Sequence, residues 1–264
     1  MNILLRELRA NRKALIIWSI CMFLGVLSGM TKYTAYSSGG AGNEIFSKMP
    51  YTLRALLGIG SFDVTTMSGF FAFLFPFLEL AVAIHAVLLG SGIMAKEERD
   101  KTTEFLMIKP VSRSEIITSK LLAALINVII INIVTLFSSI VMVGAYNKGK
   151  DVSGEVATFM LSMFVVQLIF LSLGAALSAF MRNPKSSGSI AAGILFCAYI
   201  ISKVTDLTDR LNALNLLSPF KYFSYTRIVD GDGLNLVVTI LSILLVAAFS
   251  VLTYFFYRSR DLKV

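Results

Sequence analysis

Histidine and cysteine are almost absent from this 264-residue chain, which holds one histidine, His85, and two cysteines, Cys21 and Cys197. A single histidine excludes multi-histidine metal chemistry. Two cysteines set inside apolar runs read as small packing residues, not as a disulfide framework or a metal site. No HExxH, no nucleophile elbow and no Cys/His pair is present, so no recognisable catalytic set remains. Charge is scarce too, at 15% of residues, against roughly a quarter in soluble domains. No low-complexity tail, linker or obvious internal repeat divides the chain.

What fills the space is apolar. Hydrophobic residues make up 56% of the sequence and the mean hydropathy is +0.77. A soluble core of this size cannot hide that much apolar surface, whereas a bilayer accepts it on the outside of every helix. Runs of about 20 mainly apolar residues mark spanning helices. They fall at Ala14–Met30, Gly69–Met94, Ile116–Gly144, Val156–Met181, Gly188–Ile201 (extending toward Val204) and Leu236–Tyr257. The expected fold is an all-α integral membrane protein of six transmembrane helices, forming one membrane domain over 1–264.

Net charge is +8, and its distribution points to a membrane, not to nucleic acid. With the N-terminus inside, six spans return the C-terminus to the same side. The inner segments then hold fifteen of the 24 basic residues, which is the bias that fixes orientation as N-in/C-in. Residues 1–13 read as an interfacial helix, with Leu4, Leu5 and Leu8 on one face and Arg6, Arg9 and Lys13 on the other. A basic start before an apolar run also fits a signal peptide. The run is long enough to cross the membrane and no small-x-small cleavage site follows, so it reads as an uncleaved first span.

The segment between the second and third spans, 95–115, is unlike a simple connector. Five acids (Glu97, Glu98, Asp100, Glu104, Glu115) and five bases (Lys96, Arg99, Lys101, Lys109, Arg113) surround an apolar group of Phe105, Leu106, Met107 and Ile108. Asp100 can cap a short helix that Pro110 ends. Ser112 and Glu115 form a capping box at the start of the third span, with Val111 and Ile116 at the staple positions. The residues themselves leave two readings open: a helix that docks on a soluble partner, or a solvated amphipathic hairpin.

The order Glu97-Glu-Arg-Asp-Lys-Thr-Thr-Glu-Phe-Leu, then Lys109-Pro-Val-Ser-Arg, then Lys120, closely resembles the permeases of bacterial ATP-binding-cassette exporters of the second permease class. Leu217-Ser-Pro-Phe-Lys-Tyr-Phe223 and Tyr257-Arg-Ser-Arg-Asp-Leu262 are similar to the small Gram-positive antibiotic-resistance and ion-extrusion branch of that family. Lys101-Thr102 stands where Gly-Thr is often found there. The resemblance implies that Glu97 to Ile108 form a coupling helix seated in a groove of a separate ATPase subunit. It makes Glu97, Glu98, Asp100, Thr103, Glu104, Phe105, Leu106, Ile108 and Arg113 the candidate coupling residues. It further implies a second permease subunit, ATP and magnesium held by the partner ATPase with no cofactor on this chain, and residence in the bacterial plasma membrane.

Other features also bear on function. Gly144-Ala-Tyr-Asn-Lys-Gly149-Lys150 begins like a P-loop, but Asp151 stands where the magnesium-binding Ser or Thr is required, and a spanning helix precedes it in place of a strand. Glu79 lies within the second span, where a carboxylate costs roughly 3 kcal/mol to insert and faces a bundle interior or a watery cavity. It either meets a cationic group of the cargo or bonds a Ser or Tyr nearby, and Pro76 is placed to open a cavity beside it. His85 is the second candidate for the substrate pathway, with a packed structural role as its alternative. Gly174-x-x-x-Ser178 and Ser189-x-x-x-Gly193 permit close helix approach. Few charges in the walls suit an amphipathic or hydrophobic cargo, such as a peptide antibiotic or lipid-like molecule; Glu79 would suit a cation. The rival function is an ATP-independent carrier, which needs several intramembrane ionisable groups and paired broken helices.

Overall fold

A computed structural model describes residues 3–37, 48–50, 52–53, 62–101, 111–147, 149, 151–181 and 183–259. Helix dominates them, and no strand occurs among the described residues. In chain order the helices are α1 (Ile3–Met30), α2 (Tyr33–Ser37), α3 (Met67–Arg99), α4 (Arg113–Tyr146), α5 (Ser153–Phe180), α6 (Pro184–Thr205), α7 (Tyr225–Val229) and α8 (Leu236–Ser259). Two 3₁₀ turns, Asp209–Leu217 and Pro219–Lys221, lie between α6 and α7. Among the described residues six helices, with α1 running on through α2, are long and apolar enough to cross a bilayer.

The apolar segments differ in what they face. Most of α5 is buried, 67% of its apolar stretch, and 56% of that of α3, against 17% for the first span and 11% for α8. So α3 and α5 form the axis of the bundle, and α1 and α8 turn most of their surface outward. Ile16, Ile17, Ile20 and Phe23 of α1 are exposed, as are Val237, Leu244, Val251 and Phe255 of α8. A hydrocarbon solvent makes that exposure favourable.

The axis is tight because two glycines remove side chains where backbones meet. A Cβ on Gly90 of α3 would lie 2.1 Å from the carbonyl oxygen of Leu171 in α5, and one on Gly174 would lie 2.4 Å from the carbonyl oxygen of Val87. Contact of this kind supplies the packing that holds membrane helices together, because lipid gives no hydrophobic drive to bring them into contact. Gly174 therefore acts inside one chain. Gly193, from the other small-residue pair, has open space around it. A second interhelical tie is polar: the Asn132 amide of α4 donates to the Gln167 side-chain oxygen of α5, deep in the bundle.

Two differences from the sequence reading matter for the site. Ile3–Met30 is one uninterrupted helix, so residues 3–13 continue into the first span. The stretch 203–234, which a six-span N-in topology makes an outer loop, folds back against the bundle. Ser218, Phe220, Phe223 and Ile228 are buried, and Ser218 donates to the Ala198 carbonyl of α6 at 2.8 Å. Phe220 stacks between Phe170 and Tyr199, at 5.2 and 5.4 Å. Aromatic residues in a segment between spans are thus packing groups here, and its turn-rich composition hid that.

Candidate functional site

One end of the bundle carries a buried cluster of charges. Glu7 of α1 and Lys120 of α4 are fully buried, and Glu97, in the last turn of α3, is 5% exposed. The Glu97 carboxylate accepts from the Arg6 guanidinium at 2.8 Å on one oxygen and from the Lys120 ammonium on the other. Lys120 also donates to the Ile93 carbonyl at 2.6 Å. Glu7 pairs with Arg6 at 2.9 Å and with Lys96 at 3.4 Å. Five charged side chains from three helices thus satisfy one another. A cluster is needed because a lone ion is not tolerated there: removing one partner of a buried pair costs about 3–5 kcal/mol.

The same end ties in α8. Arg113, the first residue of α4, donates to the Arg258 carbonyl at 2.9 Å, and Arg258 donates to the Ser114 hydroxyl at 2.5 Å. Thr118 and Tyr254 share a hydrogen bond of 2.7 Å. The capping box is formed as the sequence indicates: Glu115 N–H donates to Ser112 Oγ at 3.2 Å and Ser112 N–H to the Glu115 carboxylate at 2.8 Å. Val111 packs with Ile116 and with Ile3 of α1.

Against this geometry the candidate coupling residues separate. Glu97 is turned into the bundle. Glu98 lies half-buried in the same last turn, and Asp100 is exposed. Asp100 is the C-cap of α3, its N–H donating to the Lys96 carbonyl at 2.8 Å, and the short helix expected to follow it falls on 102–110, outside the described residues. Lys101 follows with φ 55°, the left-handed conformation in which helices end and which glycine adopts without penalty. That explains how a Lys can stand where Gly-Thr is often found: the turn keeps the glycine-type shape, with a side chain strained into it. Thr103, Glu104, Phe105, Leu106 and Ile108 lie outside the described residues.

A second polar centre lies farther along α3. A cavity of about 250 Å³ is bounded by Pro76 and Glu79 of α3, Tyr199 and Lys203 of α6, and the segment through Asp206 to Tyr225. The Tyr225 hydroxyl donates to Glu79 at 2.6 Å. Burial, together with the Glu79 carboxylate, holds the Tyr225 phenol well above its usual range, so it remains a donor. Tyr225 is fixed by edge-on contact with Phe75, at 5.4 Å, and by Phe159 at 6.0 Å. Asp206 takes Lys221 on one oxygen and Lys203 at 3.9 Å on the other.

Of the two alternatives for Glu79, the bond to a tyrosine is present, and the tyrosine comes from the folded-back connector. Pro76 does border a cavity beside Glu79. His85 does not line it: the ring is buried against Trp18 of α1, with centroids 5.2 Å apart. The sequence reading missed Glu7, Lys203, Asp206 and Tyr225. One signal was available for Lys120, a lone cation seven residues into an apolar helix.

The sequence profile of the ABC-2 family transporter proteins matches residues 1–262. No curated protein matches the chain.

Proposed function

The chain belongs to the ABC-2 transporter family, a multi-pass membrane permease class, and from that premise we propose that it couples to a separate ATPase through the segment that follows α3. ATP-driven closure of an ATPase pair pushes on residues 102–110 of each of two permeases. The push enters the bundle at the end of α3, where Glu97 is bonded to α1 through Arg6 and to α4 through Lys120. Three helices therefore move as one body instead of α3 fraying. The carrying observation is this buried ion cluster, placed within one turn of where the segment begins.

In this reading the coupling residues divide their work. Phe105, Leu106 and Ile108 supply the apolar surface that docks, and Glu98, Asp100, Thr103 and Glu104 supply polar contacts around it. Arg113 anchors the return into α4. Glu97 acts inside the bundle as the positioning residue that receives the load. ATP and magnesium sit on the partner, and the apolar outer walls suit an amphipathic cargo passing between two permeases.

Pulling down the tagged permease from membranes tests the docking surface. Phe105→Asp and Leu106→Asp are expected to leave insertion unchanged and to remove the ATPase from the purified complex. Undiminished co-purification contradicts the assignment. Transport that persists in vesicles with an ion gradient and no ATP would favour the carrier instead.

A further inference from the structure

The cavity beside Glu79 has polar capacity that the protein leaves unused. Glu79 spends one carboxylate oxygen on Tyr225, and no other hydrogen bond to it is present among the described residues. The side-chain oxygen of Asn215, also in the wall, is buried without a donor. In the same lining, the Lys203 ammonium reaches Asp206 only at 3.9 Å, too long for a hydrogen bond, and lies 5.5 Å from the centroid of the Tyr199 ring; its side chain is 17% exposed. Rings of Tyr199, Phe220 and Tyr225 complete the walls. The cavity therefore brings free acceptors, a cation without a short hydrogen bond and aromatic rings into one lining.

The charges constrain the guest. By formal charge Glu79 and Asp206 match Lys203 and Lys221, so a guest carrying both signs fits this lining better than a guest of one sign. Unmet polar groups in a confined site are costly, and a guest that meets both the acceptors and the donor recovers that cost. At about 250 Å³ the volume falls just under the range of pockets that take drug-sized ligands, roughly 300–1,000 Å³. It suits one small moiety. We propose that this cavity binds the zwitterionic end of an amino-acid-like molecule, its ammonium on Glu79 and Asn215, its carboxylate on Lys203, and an apolar side chain against the rings.

This site names a cargo chemistry for the exporter reading but needs no ATPase to bind. It is tested on the permease alone in nanodiscs, by calorimetric titration with phenylalanine, phenethylamine and 3-phenylpropionate. Phenylalanine is expected to bind saturably at one site, and each single-charge analogue about tenfold more weakly, the loss of one charged hydrogen bond. Glu79→Gln and Lys203→Met should each weaken phenylalanine by a similar factor. Asn215→Ala, at a less buried position, gives the same direction if either of those variants unfolds. No saturable heat with phenylalanine means the cavity holds only water and overturns the proposal. Equal affinity for phenethylamine, or binding unchanged in all three variants, also overturns it. A negative titration together with ATPase co-purification would reject this site and leave the exporter standing.

Discussion

Lys120→Met is the perturbation that isolates the ion cluster. In the native chain Glu97 shares its two oxygens between Arg6 and Lys120, and Lys120 is fully buried. Methionine keeps the stem and removes the charge, leaving one Glu97 oxygen facing a site without a donor. Arg6 still holds the other oxygen, so the loss falls toward the lower end of the buried-pair range, about 3 kcal/mol. Glu97→Leu is worse, because Lys120 keeps its charge with only the Ile93 carbonyl to accept from it; about 4 kcal/mol is expected. The double variant Lys120→Met/Glu97→Leu removes the pair together, and Arg6 falls back on Glu7, 2.9 Å away. Its stability should return to within about 1 kcal/mol of native, as apolar replacements of buried pairs do. SDS titration of the purified permease, followed by circular dichroism, measures all three. If the two single losses simply add in the double variant, within about 0.5 kcal/mol, the pair is not coupled and the ion cluster does not tie the three helices together.

The remaining predictions follow from local geometry. Gly174→Ala drives a methyl into the Val87 carbonyl region and should cost about 1–3 kcal/mol; Gly193→Ala, with open space around it, should change nothing, and equal thermal midpoints for the two would refute the close-packed axis. Tyr225→Phe removes the donor to Glu79 while leaving the ring stack, for a loss of about 1.5–3 kcal/mol in the same titration. Lys101→Gly should relieve the left-handed strain and hold or raise stability by up to about 1 kcal/mol, whereas Lys101→Ile should lower it.

How much could be read from the sequence depended on how local each signal was. The spans were readable because a run of about 20 apolar residues has few homes other than a bilayer. The capping box at Ser112 and Glu115 was readable because its partners stand three residues apart. Glu97 was not, since it sits in a run of charges that looks solvated and its partners, Arg6 and Lys120, are 91 and 23 residues away. Glu7 was hidden the same way, since its partner Lys96 is 89 residues away. The site at Glu79 was half visible: an intramembrane carboxylate beside a proline signals a cavity, but only the folded connector brings Tyr225 to it. Asp100 belongs to a residue type that caps either end of a helix, and the end it closes here is that of α3.

Everything proposed about energy supply depends on which side of the membrane the end of α3 faces. In a background with Cys21 and Cys197 replaced by serine, Lys101→Cys can be probed with a membrane-impermeant maleimide in intact and permeabilised cells, with Asp232→Cys as the opposite marker. The account predicts that Asp232→Cys labels in intact cells and Lys101→Cys only after permeabilisation. Labelling of Lys101→Cys in intact cells would put the segment beyond the reach of any ATPase and contradict it.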